Sequence, residues 1–534
     1  MYQCRRSNPC PRSWQRGRQS CRRSCLILAA SPWLSCAFIF WCQCYPWRTH
    51  WPPRELAMAA PLLKVRTVTV GITLEREHPE KWPLLIERAA AFNAAATARL
   101  TAAGFEVQTT RVSTNSFESY LDATDSAALL EGFRRIDAEL VRHGIGLFAA
   151  GPARTAEGVA LAPDIIKLGP RISLSGVMPG PLDSKMASNL AAAVLRIAQE
   201  TEGGEGNFQF CASFNVQPGI PFFPAAYHEG EPGFAIGCET SALLWDALPR
   251  AAGDLELAQQ LLIKTFEEQM KPLEEIAIEL SQIHEFPYNG IDASVAPLGS
   301  APPLTDSFES LGLGRFGESG TLAVSALVTG ALKQLKGLKI CGYTGLMLPP
   351  LEDAGLARRA VEQGYRIHDL LMYSAVCGLG LDTVPIPGNV EQQKVAALLL
   401  DVAALAFRLN KPLTARLFPV PGKVAGEKTD FKNPFLCAHS PGLRSDLGIK
   451  AHRLCPKSEH EGSASLLRRP QRQGAVVWPL LQAATLQAPT AMVLKMTPGE
   501  DNQQSAAASA KEGCLLLLLL LWLWLLLLLL VVVP

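Results

Sequence analysis

The chain has 534 residues, 48% of them hydrophobic, with 50 basic and 49 acidic side chains and a formal net charge of +1. That size exceeds a minimal domain and suits two to four domains, or one large barrel with appendages. The charge is uneven: residues 1–60 carry +8 and residues 437–534 carry +3, which leaves −10 on the stretch between, and an acidic core argues against nucleic acid as the main partner because phosphate binding needs a basic face.

The first segment, residues 1–61, is a basic, Cys- and Trp-rich extension. Residues 1–24 hold seven Arg and no acid, and an apolar stretch follows from Cys25 to Cys42. Two readings stand: a targeting segment, or translation from upstream of a true start such as Met58. Leu62–Leu74 alternates and is β-branched, which predicts a strand. Trp82–Ala103 has apolar residues at helical spacing, with Gly104 placed as its C-terminal cap. Strands are expected at Phe105–Ser113, Ile145–Ala150, Arg171–Val177 and Asn207–Val216. Helices are expected at Ser126–His143, from the Asp183 cap to Glu200, and at Leu255–His284 with a kink at Pro272. Further on, the pattern predicts helices at Gly320–Leu335, Leu351–Gln363, Ile367–Val376 and Val390–Leu409, and strands at Cys341–Met347 and Leu413–Phe418. Residues 438–514 are rich in Ser, Ala, Gln and Arg without steady periodicity, the composition of a disordered linker. Leu515–Val533 is 19 residues of Leu, Trp and Val. At 1.5 Å per residue it would span a bilayer of about 30 Å as a tail anchor; the competing reading is a translated nucleotide repeat.

Repeated β-α units imply a largely parallel sheet or a barrel, with sites gathered where strand-following loops meet. Of the 14 cysteines, seven precede residue 45 and two follow residue 450, so the middle holds five scattered thiols and no disulfide framework. A reduced interior, cytosol-like or within an organelle, fits this usage, with membrane association arising only through the Leu-rich tail.

Three segments crowd Gly, Pro and ionisable or thiol side chains into apolar surroundings: Cys341–Asp353, Tyr373–Gly388 and Lys411–Lys423. With Arg66–Ile72, Arg111–Thr114, Gly206–Phe210, Pro221–His228, Ala235–Glu239 and Gly290–Pro297, they carry a resemblance in the right order along the chain. The sequence over about residues 62–437 resembles the conserved family known as domain of unknown function seven-hundred-eleven, or uncharacterised protein family two-hundred-ten. The resemblance implies an α/β fold, a pyruvate formate-lyase-like barrel of alternating strands and helices, and it brings no assigned activity. Gly342-Tyr343 is a faint echo of a radical glycine, but the flanking residues differ, so glycyl-radical chemistry is not expected.

The residues themselves offer a candidate site for a small anionic organic molecule. Cys377, framed by Gly378 and Gly380, has exposed backbone N–H groups to lower its pKa; the plainer reading is a small buried hydrophobe in a turn. Asp382 is a base, a ligand or a turn cap. Arg416 sits in an apolar strand, where its charge needs either a protein carboxylate or an anionic ligand. Arg111 is a similar candidate, and Asn207 opens a strand beside the family-like motif. His228, in a loop beside Glu229, suits proton transfer near neutral pH or lies simply on the surface. Glu352 and Asp353 complement a helix dipole in the plainer reading. Glu239 and Asp292 are the acids most suited to a cation, yet no spacing matches a metal site, so no metal is expected. No phosphate-binding loop is present, and Gly203–Gly206 is too short for a dinucleotide fingerprint; no cofactor is identified. A barrel enzyme and a non-catalytic sensor on the same barrel both fit.

Overall fold

The computed structural model describes residues 62–298 and 301–436. Contacts divide the chain after His452, and the unit from Arg453 to Pro534 lies wholly outside the described residues. So do the expected extension at 1–61, Cys437, the linker at 438–514 and the apolar stretch Leu515–Val533. Among the described residues, no helix is long and apolar enough to cross a membrane.

The protein is mixed α/β. Among the described residues, nine strands form one sheet: β1 Lys64–Gly71, β2 Val107–Ser113, β3 Leu147–Ala153, β4 Ile172–Met178, β5 Phe210–Phe214, β6 Gly233–Glu239, β7 Tyr288–Asp292, β8 Gly380–Pro387 and β9 Leu413–Val420. Their order is β7-β6-β1-β2-β3-β4-β5-β9-β8. Strands β1 to β5 run parallel, joined by helical crossovers such as Trp82–Ala102, Ser126–Arg142, Ala156–Ile166 and Ser184–Glu200; parallel neighbours need such crossovers because a hairpin cannot join them. The β6–β7 and β8–β9 pairs flank this block and run antiparallel to it.

Helix starts follow from short polar side chains three residues ahead of a backbone donor. Asp125, Thr155, Asp183, Asp254 and Asp353 each accept from the N–H three residues on, at 2.7–3.0 Å. The outer face of β1 buries Val65, Val68 and Val70, and the Trp82–Ala102 helix buries Ile86, Ala89, Phe92, Ala96 and Leu100. Each such large side chain contributes roughly 1.5–3 kcal/mol on burial. Phe92 anchors this layer, with ring centroids 4.5 Å from Phe234 and 4.8 Å from Phe286. The Leu255–His284 helix continues through Pro272.

Two strand irregularities aim charges inward. In the β1–β6 ladder Val65 faces Cys238 and Thr67 faces Gly237, so Arg66 is an extra residue and shares a face with Thr67. In the β8–β9 ladder Leu381 faces Ala415 and Val384 faces Leu417, so Asp382 and Thr383 together oppose Arg416. One extra residue bends the strand and redirects its side chains. Thr383 takes φ = +43°, costly for a β-branched residue.

The expected strand at Cys341–Met347 makes only isolated pairings, Ile291 with Ile340 and Val295 with Leu346. Gly342 and Thr344 adopt φ of +64° and +39° instead, wrapping Tyr343 N–H and Thr344 N–H onto the Asp292 carboxylate at 3.1 and 3.0 Å. Gly345 and Gly378 then cross so closely that a Cβ on Gly378 would lie 2.7 Å from Gly345 Cα, and Gly378 N–H donates to Leu346 O at 2.7 Å. Glycine at both positions permits that approach.

Candidate functional site

A cavity of about 90 Å³ is lined by Arg66 and Thr67 of β1, Thr109 and Arg111 of β2, Ser173 of β4, Gly237 of β6, Asp292 of β7 and Arg416 of β9, with Phe208, Phe222, Phe223 and Phe435 as aromatic walls. Because β6 and β7 are antiparallel to the central block, their C-terminal ends share a rim with the N-terminal halves of β1, β2 and β4. The cavity therefore lies toward the start of the parallel strands, and the segment that follows β5 reaches into it with Phe222 and Phe223.

Arg416 is the hub. Its Nε donates to Asp382 Oδ1 at 2.7 Å, its Nη2 to Glu352 Oε1 at 2.7 Å and its Nη1 to the Phe208 carbonyl at 3.4 Å. Arg66 Nη2 donates to the other Glu352 oxygen at 2.9 Å. All but Arg66 are almost wholly buried. The guanidinium of Arg416 also lies 5.1 Å from the Phe208 ring centroid and 5.5 Å from that of Phe222. Burial alone would pull Arg416 down, but Asp382 and Glu352 outweigh it and hold the guanidinium above its ordinary value. Burial pushes Asp382 up, with Arg416 opposing and Glu352 adding to the rise.

Arg111 differs. Its Nε donates to Thr109 Oγ1 at 3.1 Å and its guanidinium lies 4.9 Å from the Phe223 ring centroid, yet it has no carboxylate partner among the described residues. Burial, then the neighbouring charges of Arg66 and Arg416, lower it to about 9 against the pull of Glu352. A guanidinium stays charged at neutral pH, so Arg111 presents unused donors and an unmatched positive charge to the cavity.

Asp292 lines the cavity with its carboxylate occupied. It accepts from Ser294 N–H at 3.0 Å and Ser294 Oγ at 2.5 Å besides the Tyr343 and Thr344 amides. Burial raises its pKa despite these bonds. Glu239 receives Gln108 Nε2 at 2.6 Å. Among the described residues, no group of three His, Cys, Asp or Glu side chains is placed to hold a metal ion.

The other sequence candidates lie elsewhere. Cys377 is buried in the main core as a free thiol, outside the cavity lining. Its carbonyl, with those of Ser374 and Ala375, receives Lys411 Nζ at 2.6–3.3 Å, so Lys411 closes the end of the Ile367–Tyr373 helix. Gly378 serves the crossing with Gly345. Gly380 takes φ = +104°, where a Cβ would lie 2.4 Å from Thr414 O. Asn207 Nδ2 bonds to Val194 O at 3.1 Å, tying its helical turn to the Ser184–Glu200 helix. His228 Nε2 donates to Glu231 O at 2.7 Å, and its ring packs on Gly71. Burial lowers its pKa, against the Glu231 and Gly230 carbonyls. Thus Arg111 and Arg416 meet at the cavity, Asp382 stands one bond behind Arg416, and Cys377 and His228 are absent from the lining. Arg66 and Glu352 complete the network. Arg66 carried the same signal as Arg416, a charge inside an apolar alternating strand, while Glu352 was masked by its position near a helix start.

The sequence profile of the family described as Uncharacterised ACR (DUF711) matches residues 58–438. The chain belongs to the DUF711 family. Its relatives include proteins named UPF0210. One from Pyrobaculum arsenaticum is 33% identical over 247 residues, 42% of this chain and 51% of that protein, so the chain spans about half the length of that relative. One from Pyrobaculum islandicum is 29% identical over 417 residues, 71% of this chain and 88% of that protein. One from Clostridium beijerinckii is 24% identical over 402 residues, 69% and 88% of the two chains. The family match covers the strands, Arg111, Arg416 and their neighbours.

Proposed function

We propose that this DUF711 protein binds a small organic anion in the cavity beneath its aromatic walls, with Arg111 as the primary contact. The observation that carries this is the guanidinium of Arg111, facing the cavity without a carboxylate partner among the described residues, while Arg66 and Arg416 each have one. A desolvated charge gains most from a counter-charge, and the ligand supplies it. Arg416 holds the wall rather than the ligand, since Asp382 and Glu352 occupy its donors.

We also propose that the sheet closes into a barrel. The Ile291–Ile340 and Val295–Leu346 pairings extend from β7, and the Gly378 bond to Leu346 leads to Thr414 N–H on Leu379 O at 2.7 Å, beside β8 and β9. Those bonds support a ring in which the segments around residues 340–346 and 378–379 join the two ends of the nine-stranded order, putting the cavity in its interior.

Binding without turnover is the reading favoured by the absence of Cys377 and His228 from the lining. The test is affinity selection: the full chain is incubated with pooled organic acids, filtered, and the retained compounds are identified by mass spectrometry. Wild type should retain an acid that Arg111→Met releases, and recovery of that acid unaltered marks binding without turnover. Equal retention by both proteins, or none by either, overturns the assignment.

A further inference from the structure

We infer that the ligand is a monocarboxylate with a compact apolar body, such as a single ring or a short branched chain, and that the cavity discriminates against phosphates and dicarboxylates. This rests on the anion-binding reading above and follows from the pairing of the guanidinium groups and from the walls.

Around the cavity, Arg66 and Arg416 are matched by Glu352 and Asp382, each cation within 2.9 Å of a carboxylate oxygen. Asp292 is saturated by four donors of its own loop segments, and Glu239 accepts from Gln108. Arg111 is then the one guanidinium of the three without a carboxylate partner among the described residues, so a single carboxylate on the ligand completes the pairing. A second would have to be placed near Glu352, whose oxygens are already committed, or would have to break the Arg66–Glu352 contact. Either choice leaves a buried carboxylate short of a partner, which is strongly unfavourable. A carboxylate also fits the flat, two-donor edge of a guanidinium.

The rest of the ligand meets rings rather than polar groups. Arg111 is backed by Phe223, and the rings of Phe208 and Phe222 both pack on the Arg416 guanidinium. Phe435 is stacked on Phe208 at 5.9 Å with planes 7° apart. It is 39% exposed yet lines the cavity, so it stands where the cavity meets solvent. Of the polar neighbours, Gln209 gives both N–H groups of its amide to the Gly169 and Ile172 carbonyls, and Gln108 gives one of its two to Glu239. Four aromatic walls beside one guanidinium without a carboxylate partner favour an apolar acid over a sugar acid, and a space of about 90 Å³ limits it to a small body.

The test is isothermal titration of the full chain with benzoate, pivalate, succinate, phenyl phosphate and benzamide, repeated on Arg111→Met. Benzoate or pivalate should bind one per chain, at least tenfold tighter than succinate, phenyl phosphate or uncharged benzamide, and Arg111→Met should weaken it more than tenfold. Phenyl phosphate or succinate binding as tightly as the monocarboxylates, with the same dependence on Arg111, overturns this inference and leaves the anion site standing. Failure of every anion to bind wild type, or binding that ignores Arg111, overturns the anion site itself. The wild-type ranking needs no variant to fold.

Discussion

Replacing Arg416 with Met removes the hub of the buried charge network, and its consequence can be worked from the contacts. The Arg416 side chain is 4% exposed and Asp382 and Glu352 are each 2% exposed, with both ion contacts at 2.7 Å. Glu352 keeps Arg66 at 2.9 Å, but Asp382 loses the guanidinium that offsets its burial. Breaking a buried pair from one side costs about 3–5 kcal/mol, because the remaining charge stays desolvated. Arg416→Met should therefore lower unfolding free energy by about 3–5 kcal/mol at pH 7. The double variant Arg416→Met/Asp382→Leu should recover part of this, since no unpaired carboxylate is then left at position 382, giving a coupling above about 1 kcal/mol. Urea unfolding of the full chain followed by tryptophan fluorescence reads both quantities from midpoints at constant slope. A cost below about 1 kcal/mol for Arg416→Met, or single-variant costs that simply add, would show that the network contributes little and refute this reasoning.

Two further outcomes follow from the packing around the site. Gly378→Ala places a methyl 2.7 Å from Gly345 Cα and 2.8 Å from its carbonyl carbon, so it should destabilise by about 1–3 kcal/mol or more, whereas Gly146→Ala meets nothing within 4 Å and should be near neutral; equal melting temperatures for the two would remove the close crossing. His228 has a pKa lowered by burial, so the fold holds it neutral. Its contribution is fully present above the ordinary histidine value near 6.5 and is lost as pH falls from there toward the folded value, because the unfolded chain takes the proton first. Stability measured from pH 8 to pH 5 should fall more steeply for wild type than for His228→Gln, and parallel slopes would contradict the assignment.

Much of the scaffold was legible because local rules decided it. Alternation marked β1, and Asp183 fixed the start of the helix that runs to Glu200. Strands β6, β7 and β8 were not expected from the sequence. In β6 every residue is buried, so Gly-Phe-Ala-Ile-Gly-Cys-Glu shows no polar face. In β8 two prolines argue against a strand, yet β8 ends the sheet order, where proline is tolerated. The site was half legible for a related reason. A lone arginine in an apolar strand announces that a counter-charge is needed, which singled out Arg111 and Arg416. It cannot say which of the two is satisfied internally. That choice depends on Glu352, 64 residues from Arg416 and 286 from Arg66, and on an extra residue in each of β1 and β8 that turns Arg66 and Asp382 inward. Cys377 attracted interest through its glycines, which serve instead the crossing with Gly345 and the positive φ of Gly380.

The unmatched charge of Arg111 can be observed most directly in a crystal soaked with 4-bromobenzoate, where bromine gives an anomalous signal. The carboxylate should lie against the Arg111 guanidinium and the bromine among Phe208, Phe222, Phe223 and Phe435. An Arg111 paired to a carboxylate of the protein, with no bromine in the cavity, would contradict it.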